Sequence, residues 1–219
     1  MRVFVTGGSG VLGQVLLPRL KAAGHKAVAP ANGALDLFDP GAVAEALAAA
    51  EADAIMHLAT RIPPEERMGE PEAWAENDRL RAEASRILVD AAIAGEVGTY
   101  VVPTITFVYP PGPADEETPI GEQPFFLESA LAAEAEAARF AGAGRTGVVL
   151  RLGLLYGPGT GSDEPNPMFG ATLQIADAGA ALLAALELPG GVYNVVDDGS
   201  DVSAERFKTA SGWRPGVAS

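Results

Sequence analysis

Cysteine is absent from the 219 residues, which excludes disulfides, thiol nucleophiles and thiolate metal sites and says nothing firm about compartment. Lysine is almost as scarce, with Lys21, Lys26 and Lys208 the only three. Basic side chains number 15 against 29 acidic ones, a formal net charge of −14. A chain so short of cations is not built to neutralise nucleic-acid phosphates. No apolar run approaches the roughly 20 residues of a membrane span. The short apolar start breaks at once into glycines instead of extending as a signal sequence. These absences predict a soluble, cytoplasmic protein with neither a nucleic-acid nor a membrane partner. What the chain does have is 48% hydrophobic and 20% charged residues, a balance that suits one globular domain with a real core.

Strand and helix signals alternate along its whole length. Residues 2–6 (RVFVT) form a β-rich run, and residues 11–23 carry apolar side chains at helical spacing up to Gly24, with Pro18 inside, where a kink is expected. A second strand is expected over 26–29, and a helix over 40–50 opened by Asp39-Pro40. Residues 54–58 (AIMHL) are continuously apolar apart from His57, as strands covered on both faces are. Further helices are expected over 71–94, 124–141, 177–188 and 203–211, the last with a serine cap, and strands over 99–103, 147–152 and 192–196. Such alternation without hairpin signals predicts an α/β fold, a doubly wound parallel sheet of six or seven strands with helices on both faces. Residues 109–123 and 157–170, rich in Pro, Gly and acids, are expected as long loops after strands, where open α/β sheets place their ligands.

The first such junction reads Thr6-Gly7-Gly8-Ser9-Gly10-Val11-Leu12-Gly13. Between a strand and a helix, Gly7 serves a tight turn, Gly10 lets backbone approach a pyrophosphate, and Gly13 lets helix and strand close up. The helix start then offers free N–H groups and partial positive charge to phosphates. This context predicts a dinucleotide site over Gly7, Ser9, Gly10, Val11, Leu12 and Gly13; a purely structural turn is the alternative.

The G-x-x-G-x-x-G spacing, followed by Leu35-Asp36-Leu37-Phe38-Asp39, His57-Leu58-Ala59-Thr60, Glu76-Asn77-Asp78, Phe107-Val108-Tyr109, Glu117-Thr118-Pro119, Arg151-Leu152-Gly153 and Tyr156-Gly157-Pro158-Gly159, resembles the extended short-chain dehydrogenase/reductases, the NAD-dependent epimerase/dehydratase group. The resemblance covers nearly the whole chain. It implies a Rossmann-type single domain over residues 1–219, its C-terminal lobe reduced to 157–172 and 190–219. It also implies adenine near Asp36 and Leu37, and nicotinamide near Thr60, Pro103 and Thr104, with Leu58, Ala59 and Asn77 beside the cofactor. The plainer alternatives are that Asp36 caps a turn, Asn77 satisfies buried backbone, Phe125 and Phe126 fill core, and His57 is a packed strand-end residue. The family uses no histidine at that last position, and no metal site is expected.

The second strand ends in Ala29-Pro30-Ala31-Asn32, with neither the usual acid for a ribose hydroxyl nor an arginine for a 2′-phosphate. Asn32 offers a hydrogen bond without charge, so the cofactor is NAD or NADP with NAD slightly favoured.

Members of this group use Tyr-x-x-x-Lys with a Ser or Thr, the tyrosine as general acid/base and the lysine lowering its pKa. No Tyr-x-x-x-Lys occurs here. Phe126-Leu127-Glu128-Ser129-Ala130-Leu131-Ala132-Ala133-Glu134 keeps the serine and glutamate that follow the family's tyrosine, which puts Phe126 at the tyrosine position and Ala130 at the lysine position. The third partner falls on Ile105, flanked by Thr104 and Thr106. The expectation is a dinucleotide-binding protein without the relay: a sensor like the family's nitrogen-repression regulators, or an atypical reductase. The alternative is an active oxidoreductase or epimerase on a small-molecule substrate using Thr104, Thr106 or Tyr109. The family's sugar-nucleotide enzymes build a substrate domain after the Tyr-Gly-Pro-Gly motif; here the strand-to-helix segment Leu173-Gln174-Ile175-Ala176-Asp177 follows Gly159 too soon for one. The resemblance also implies a homodimer through the helices over 71–94 and 124–141, the family's usual pairing surface, whose small residues (Ala82, Ala84, Ala91, Ala92, Ala132, Ala133, Ala137, Ala138) allow close approach.

Overall fold

The computed structural model describes residues 1–216; positions 217–219, the end of the expected C-terminal lobe, lie outside the described residues. Six parallel strands form the sheet in the order β2-β1-β3-β4-β5-β8. They are β1 (Arg2–Thr6), β2 (Lys26–Val28), β3 (Ala54–His57), β4 (Thr99–Ile105), β5 (Thr146–Leu152) and β8 (Gly191–Val195). Alternate side chains of a strand face opposite ways. Val3, Val5 and Met56 therefore join Leu16, Leu20 and Leu182 in one core, while Phe4, Ile55 and Tyr100 join Val43, Leu47, Leu88 and Phe140 in the other. The first core lies under α1 (Val11–Ala22) and α6 (Ile175–Ala184), the second under α2 (Pro40–Ala50), α4 (Ser85–Ala94) and α5 (Phe125–Gly142). This is the α/β, Rossmann-like doubly wound architecture.

Several elements differ from the sequence expectation, each for a local reason. α1 runs past Pro18, whose ring and missing donor lie on the exposed side of the helix. The expected single helix over 71–94 is a 3-10 turn (Pro71–Trp74), α3 (Ala75–Arg79), a π segment (Leu80–Ala84) and α4 in succession. α6 begins two residues early because the Gln174 carboxamide accepts from the N–H groups of Ala176 and Asp177. The closing helix α7 (Glu205–Ser211) starts after Ala204, although the Ser203 hydroxyl still accepts from the Glu205 N–H at 3.3 Å.

A second, two-stranded parallel sheet pairs β6 (Leu154–Tyr156), which the sequence reading lacks, with β7 (Thr172–Gln174), the strand of the expected strand-to-helix segment at 173–177. It anchors the loop over 157–170. The loop over 109–123 is fastened by a bridge from Ala114 to Val202 and by a small core of Tyr109, Ala114, Ala171, Val196, Val202 and Ala204. Phe107 stacks on Phe169 at 5.4 Å and joins the two loops. Of the alanines expected at a dimer surface, Ala84, Ala92, Ala133 and Ala137 are buried within the chain itself.

Because one carboxamide closes the start of α6, Gln174→Ala should lower stability by about 1 kcal/mol, the usual value of a helix cap. Urea unfolding should show a lower midpoint with an unchanged slope.

Candidate functional site

The sheet order reverses between β1 and β3, and the crevice outside such a reversal is where open α/β sheets hold ligands. A cleft of about 400 Å³ opens there. Thr6 and Gly7 through Gly10 line it from the β1 end, Leu58, Ala59, Thr60 and Arg61 from the β3 end, and Asn32, Asp36, Leu37 and Phe38 from the far side. The strand-to-helix turn is made by contact. Gly7 has φ +71°, and a Cβ on it would lie 2.6 Å from the backbone N of Ala59. A Cβ on Gly13 would lie 2.4 Å from the Gly8 oxygen, so helix α1 sits directly on the turn. Gly10 caps α1 with no side-chain hydrogen bond, which leaves the first N–H groups of the helix uncapped by any side chain.

Of the residues singled out from the sequence, Gly7, Ser9, Gly10, Asn32, Asp36, Leu37, Leu58, Ala59 and Thr60 meet around this cleft. Val11, Leu12, Gly13, Asn77, Pro103 and Thr104 are not among its lining residues. Asp36 does both things proposed for it, lining the cleft and accepting the Phe38 N–H at 2.9 Å. Asn77 is fully buried; its Oδ1 accepts the Arg61 N–H at 3.1 Å, and its Nδ2 has no partner. Arg61, Glu76 and Leu80 also line the cleft, and sequence inspection missed all three. Arg61 immediately follows the strand-end motif, a position adjacent to residues already selected. Glu76 likewise adjoins Asn77 in a motif already selected, whereas Leu80 carries no such signal.

His57 is a packed strand-end residue. Its Nδ1 lies 2.6 Å from the Thr6 hydroxyl and its Nε2 lies 2.9 Å from the Leu80 carbonyl. The carbonyl can only accept, so Nε2 carries the proton and Nδ1 accepts from Thr6. Burial pushes its pKa down to about 4, with the Leu80 hydrogen bond opposing the shift.

Beyond the cleft, the ends of β4, β5 and β8 meet in one polar network. Glu134 on α5 takes Arg151 Nε at 2.9 Å and Nη2 at 2.6 Å, and also the Thr104 hydroxyl at 2.8 Å. Arg151 Nη1 donates to the Tyr109 oxygen at 2.7 Å, and that hydroxyl donates to Asn194 at 2.9 Å. Burial raises the Tyr109 pKa, with the Arg151 hydrogen bond working against it. The hydroxyls of Thr104 and Tyr109 are therefore spoken for, whereas that of Thr106 is buried without a partner. On the opening turns of α5, Phe126 stacks on Trp74 at 5.5 Å and edge-on with Phe125 at 5.4 Å. Ala130 is fully buried and Ile105 is half-buried.

A glycine turn at a sheet reversal, with a cleft above it, is the arrangement of nucleotide-binding α/β proteins. The sequence matches the NAD dependent epimerase/dehydratase family over residues 3–196, and the chain belongs to that family. A 3-diazoavenalumate denitrifying reductase from a Streptomyces species is 33% identical over 90% of this chain and 76% of its own length. Among solved structures, UDP-glucose 4-epimerase from Thermotoga maritima, determined with UDP-glucose, superposes with a TM-score of 0.84 at 16% identity, covering 99% of this chain and 94% of that one. RMD from Pseudomonas aeruginosa complexed with NADPH superposes with a TM-score of 0.81 at 22% identity, covering 99% and 95%. These two similarities concern the fold.

A buried histidine that is neutral when folded, with a pKa near 4, and ordinary when unfolded, near 6.5, binds protons only on unfolding between those values. Stability from this residue is full above pH 6.5 and falls as pH drops toward 4. Its share of the loss between pH 7 and 5 should be about 2 kcal/mol. His57→Asn should remove that share, which urea unfolding of both proteins across the range would measure.

Proposed function

We propose that the cleft binds NAD or NADP and that the protein is a reductase of its family that works without a tyrosine–lysine proton relay. The observation that carries this is the make-up of α5. Where the family's acid and its lysine are expected stand a phenylalanine stacked on Trp74 and a fully buried alanine. The candidate substitutes do not restore the relay. Thr104 donates to Glu134, Tyr109 donates to Asn194 with its pKa raised, and Thr106 is buried.

The residues present fit a dinucleotide. The turn at Gly7–Gly10 leaves room that a Cβ would take, and α1 opens toward it without a side-chain cap. Gly7, Ser9, Gly10, Val11, Leu12 and Gly13 would hold the pyrophosphate, Asn32, Asp36 and Leu37 the adenosine, and Leu58, Ala59, Thr60, Asn77, Pro103 and Thr104 the nicotinamide half. Among the described residues lining the cleft the only cation is Arg61, already paired with Glu76 at 3.4 Å, which supports the slight preference for NAD over NADP. The NADPH in the Pseudomonas structure argues for testing both.

When held there, a reduced nicotinamide would supply hydride, and an acceptor carbon of diazonium type, losing dinitrogen as it gains that hydride, would call for no proton from the protein. The Streptomyces relative, named for a diazo carboxylate, supports that class of acceptor. The side chains do the rest: Phe126 and Trp74 present an apolar wall that excludes water, and Asn77, buried behind the cleft, fixes the backbone of Arg61 that lines it. The homodimer expected from the two long helices is part of the proposal. It would use the faces left by Ala82, Ala91, Ala132 and Ala138 and is tested by light scattering.

Titration with NADH and NADPH should show saturable binding, and a panel of diazo-arene carboxylates should be reduced with release of dinitrogen. Simple ketones and sugar nucleotides should not turn over, since general acid–base catalysis contributes about 10²- to 10⁴-fold and its donor is missing. Binding without turnover of any acceptor would favour a sensor instead. Ketone reduction at ordinary enzyme rates by the wild type would refute the proposal.

A further inference from the structure

Among the described residues that line the cleft, Phe38 is the only aromatic one. It lies on the far side with Asn32, Asp36 and Leu37, and it is half-buried. Its backbone is fixed from within its own loop, because the Asp36 carboxylate accepts the Phe38 N–H at 2.9 Å. Its ring is fixed from outside that loop. The Arg79 guanidinium lies over it, with Cζ 3.9 Å from the ring centroid. Arg79 is steadied in turn by Glu83, whose carboxylate accepts from Nε at 2.9 Å.

This contact ties two walls of the cleft together. Leu35, Asp36, Leu37 and Phe38 form part of one wall. Glu76 and Leu80, which flank Arg79 along the α3 and π stretch, form part of another. Among the described residues, no other cation–π contact, hydrogen bond or ion pair joins these two segments. A cation held over one face of a ring leaves the opposite face as the one open to a ligand. Nucleotide bases stack on such a face whatever their identity. A dinucleotide with its phosphates on the turn at Gly7–Gly10 carries one base toward the far side, where Pro30, Ala31, Gly33 and Leu35 offer no ring.

We propose that Phe38 is the stacking platform for the adenine of the bound dinucleotide. Arg79 is its positioning residue, clamping the ring from behind and setting the width of the slot the base enters. The inference rests on the dinucleotide reading of the cleft and deepens it, naming a source of affinity separate from the glycine turn.

The probe is ADP-ribose, which carries adenine and pyrophosphate without nicotinamide. It is titrated by calorimetry into wild type, Phe38→Leu, Phe38→Tyr, Arg79→Gln and the Phe38→Leu/Arg79→Gln double variant, each checked for native circular dichroism. The adenine absorption band is followed alongside, since stacking on a ring lowers its intensity. Wild type should bind with that hypochromism. Phe38→Leu should lose the hypochromism and at least about tenfold in affinity, and Phe38→Tyr should retain both. Arg79→Gln should lose about threefold when Phe38 is present and nothing further in the double variant. An arginine that merely stabilised the fold would cost the same in both backgrounds. Should Phe38→Leu fail to fold, the surface variant Arg79→Gln and the wild-type hypochromism still decide the matter. No ADP-ribose binding or no hypochromism in wild type would overturn the assignment. So would undiminished affinity in Phe38→Leu or in Arg79→Gln, or an Arg79→Gln loss that persists in full in the double variant. Binding of NADH that Phe38→Leu leaves unchanged sinks the platform and leaves the dinucleotide reading standing. Stacked ADP-ribose without binding of NADH or NADPH does the reverse.

Discussion

The buried pair of Glu134 and Arg151 holds the working end of the sheet together. Their side chains are 10% and 6% exposed, so the charges are largely out of water, a cost that mutual attraction repays only with good geometry and further hydrogen bonds. Both conditions are met. The fork is bidentate, Thr104 completes the glutamate, and Tyr109 passes the arginine's remaining donor on to Asn194. One helix, three strand ends and the start of a long loop are thereby pinned by a single cluster. The placement of α5, and with it of Phe126 and Ala130, follows from that cluster and not from the chemistry of the two positions themselves.

A consequence is that the hydroxyl-bearing residues near the strand ends serve the scaffold first. Thr104 and Tyr109 complete the ion pair, and Thr6 holds the His57 ring. The charges of Glu134 and Arg151 are thus closed upon each other.

Much of this was readable in advance because it depends on local pattern. The continuous apolar strands, the glycine turn and the Asp39 cap of α2 follow from residue type and spacing, and they lie where the sequence implies. The misses share a different cause. β6 is three residues long, too short to carry a period, and exists because its loop end meets β7. Glutamine is not among the ordinary helix-capping residues, so the start of α6 at Ile175 was hidden. Arg79, Arg81 and Arg86 look alike in sequence. Two of them are exposed and ion-paired at i,i+4 spacing, and only tertiary packing distinguishes the third.

The π segment at Leu80–Ala84 gives the helical stretch before α4 a phase of its own. A π turn accommodates one more residue than an α turn, and the Leu80 carbonyl within it accepts from His57 at 2.9 Å. Deleting one residue between positions 80 and 84 would close the ladder into an ordinary α-helix and turn everything upstream by about 100° relative to α4. Trp74 would swing off the Phe126 ring and Asn77 out of its buried site, while α4 stayed anchored in the core. Across this stretch, residue count is thus as much a determinant of the site's shape as residue identity, and single-residue insertions and deletions should be tolerated far less here than in the loops.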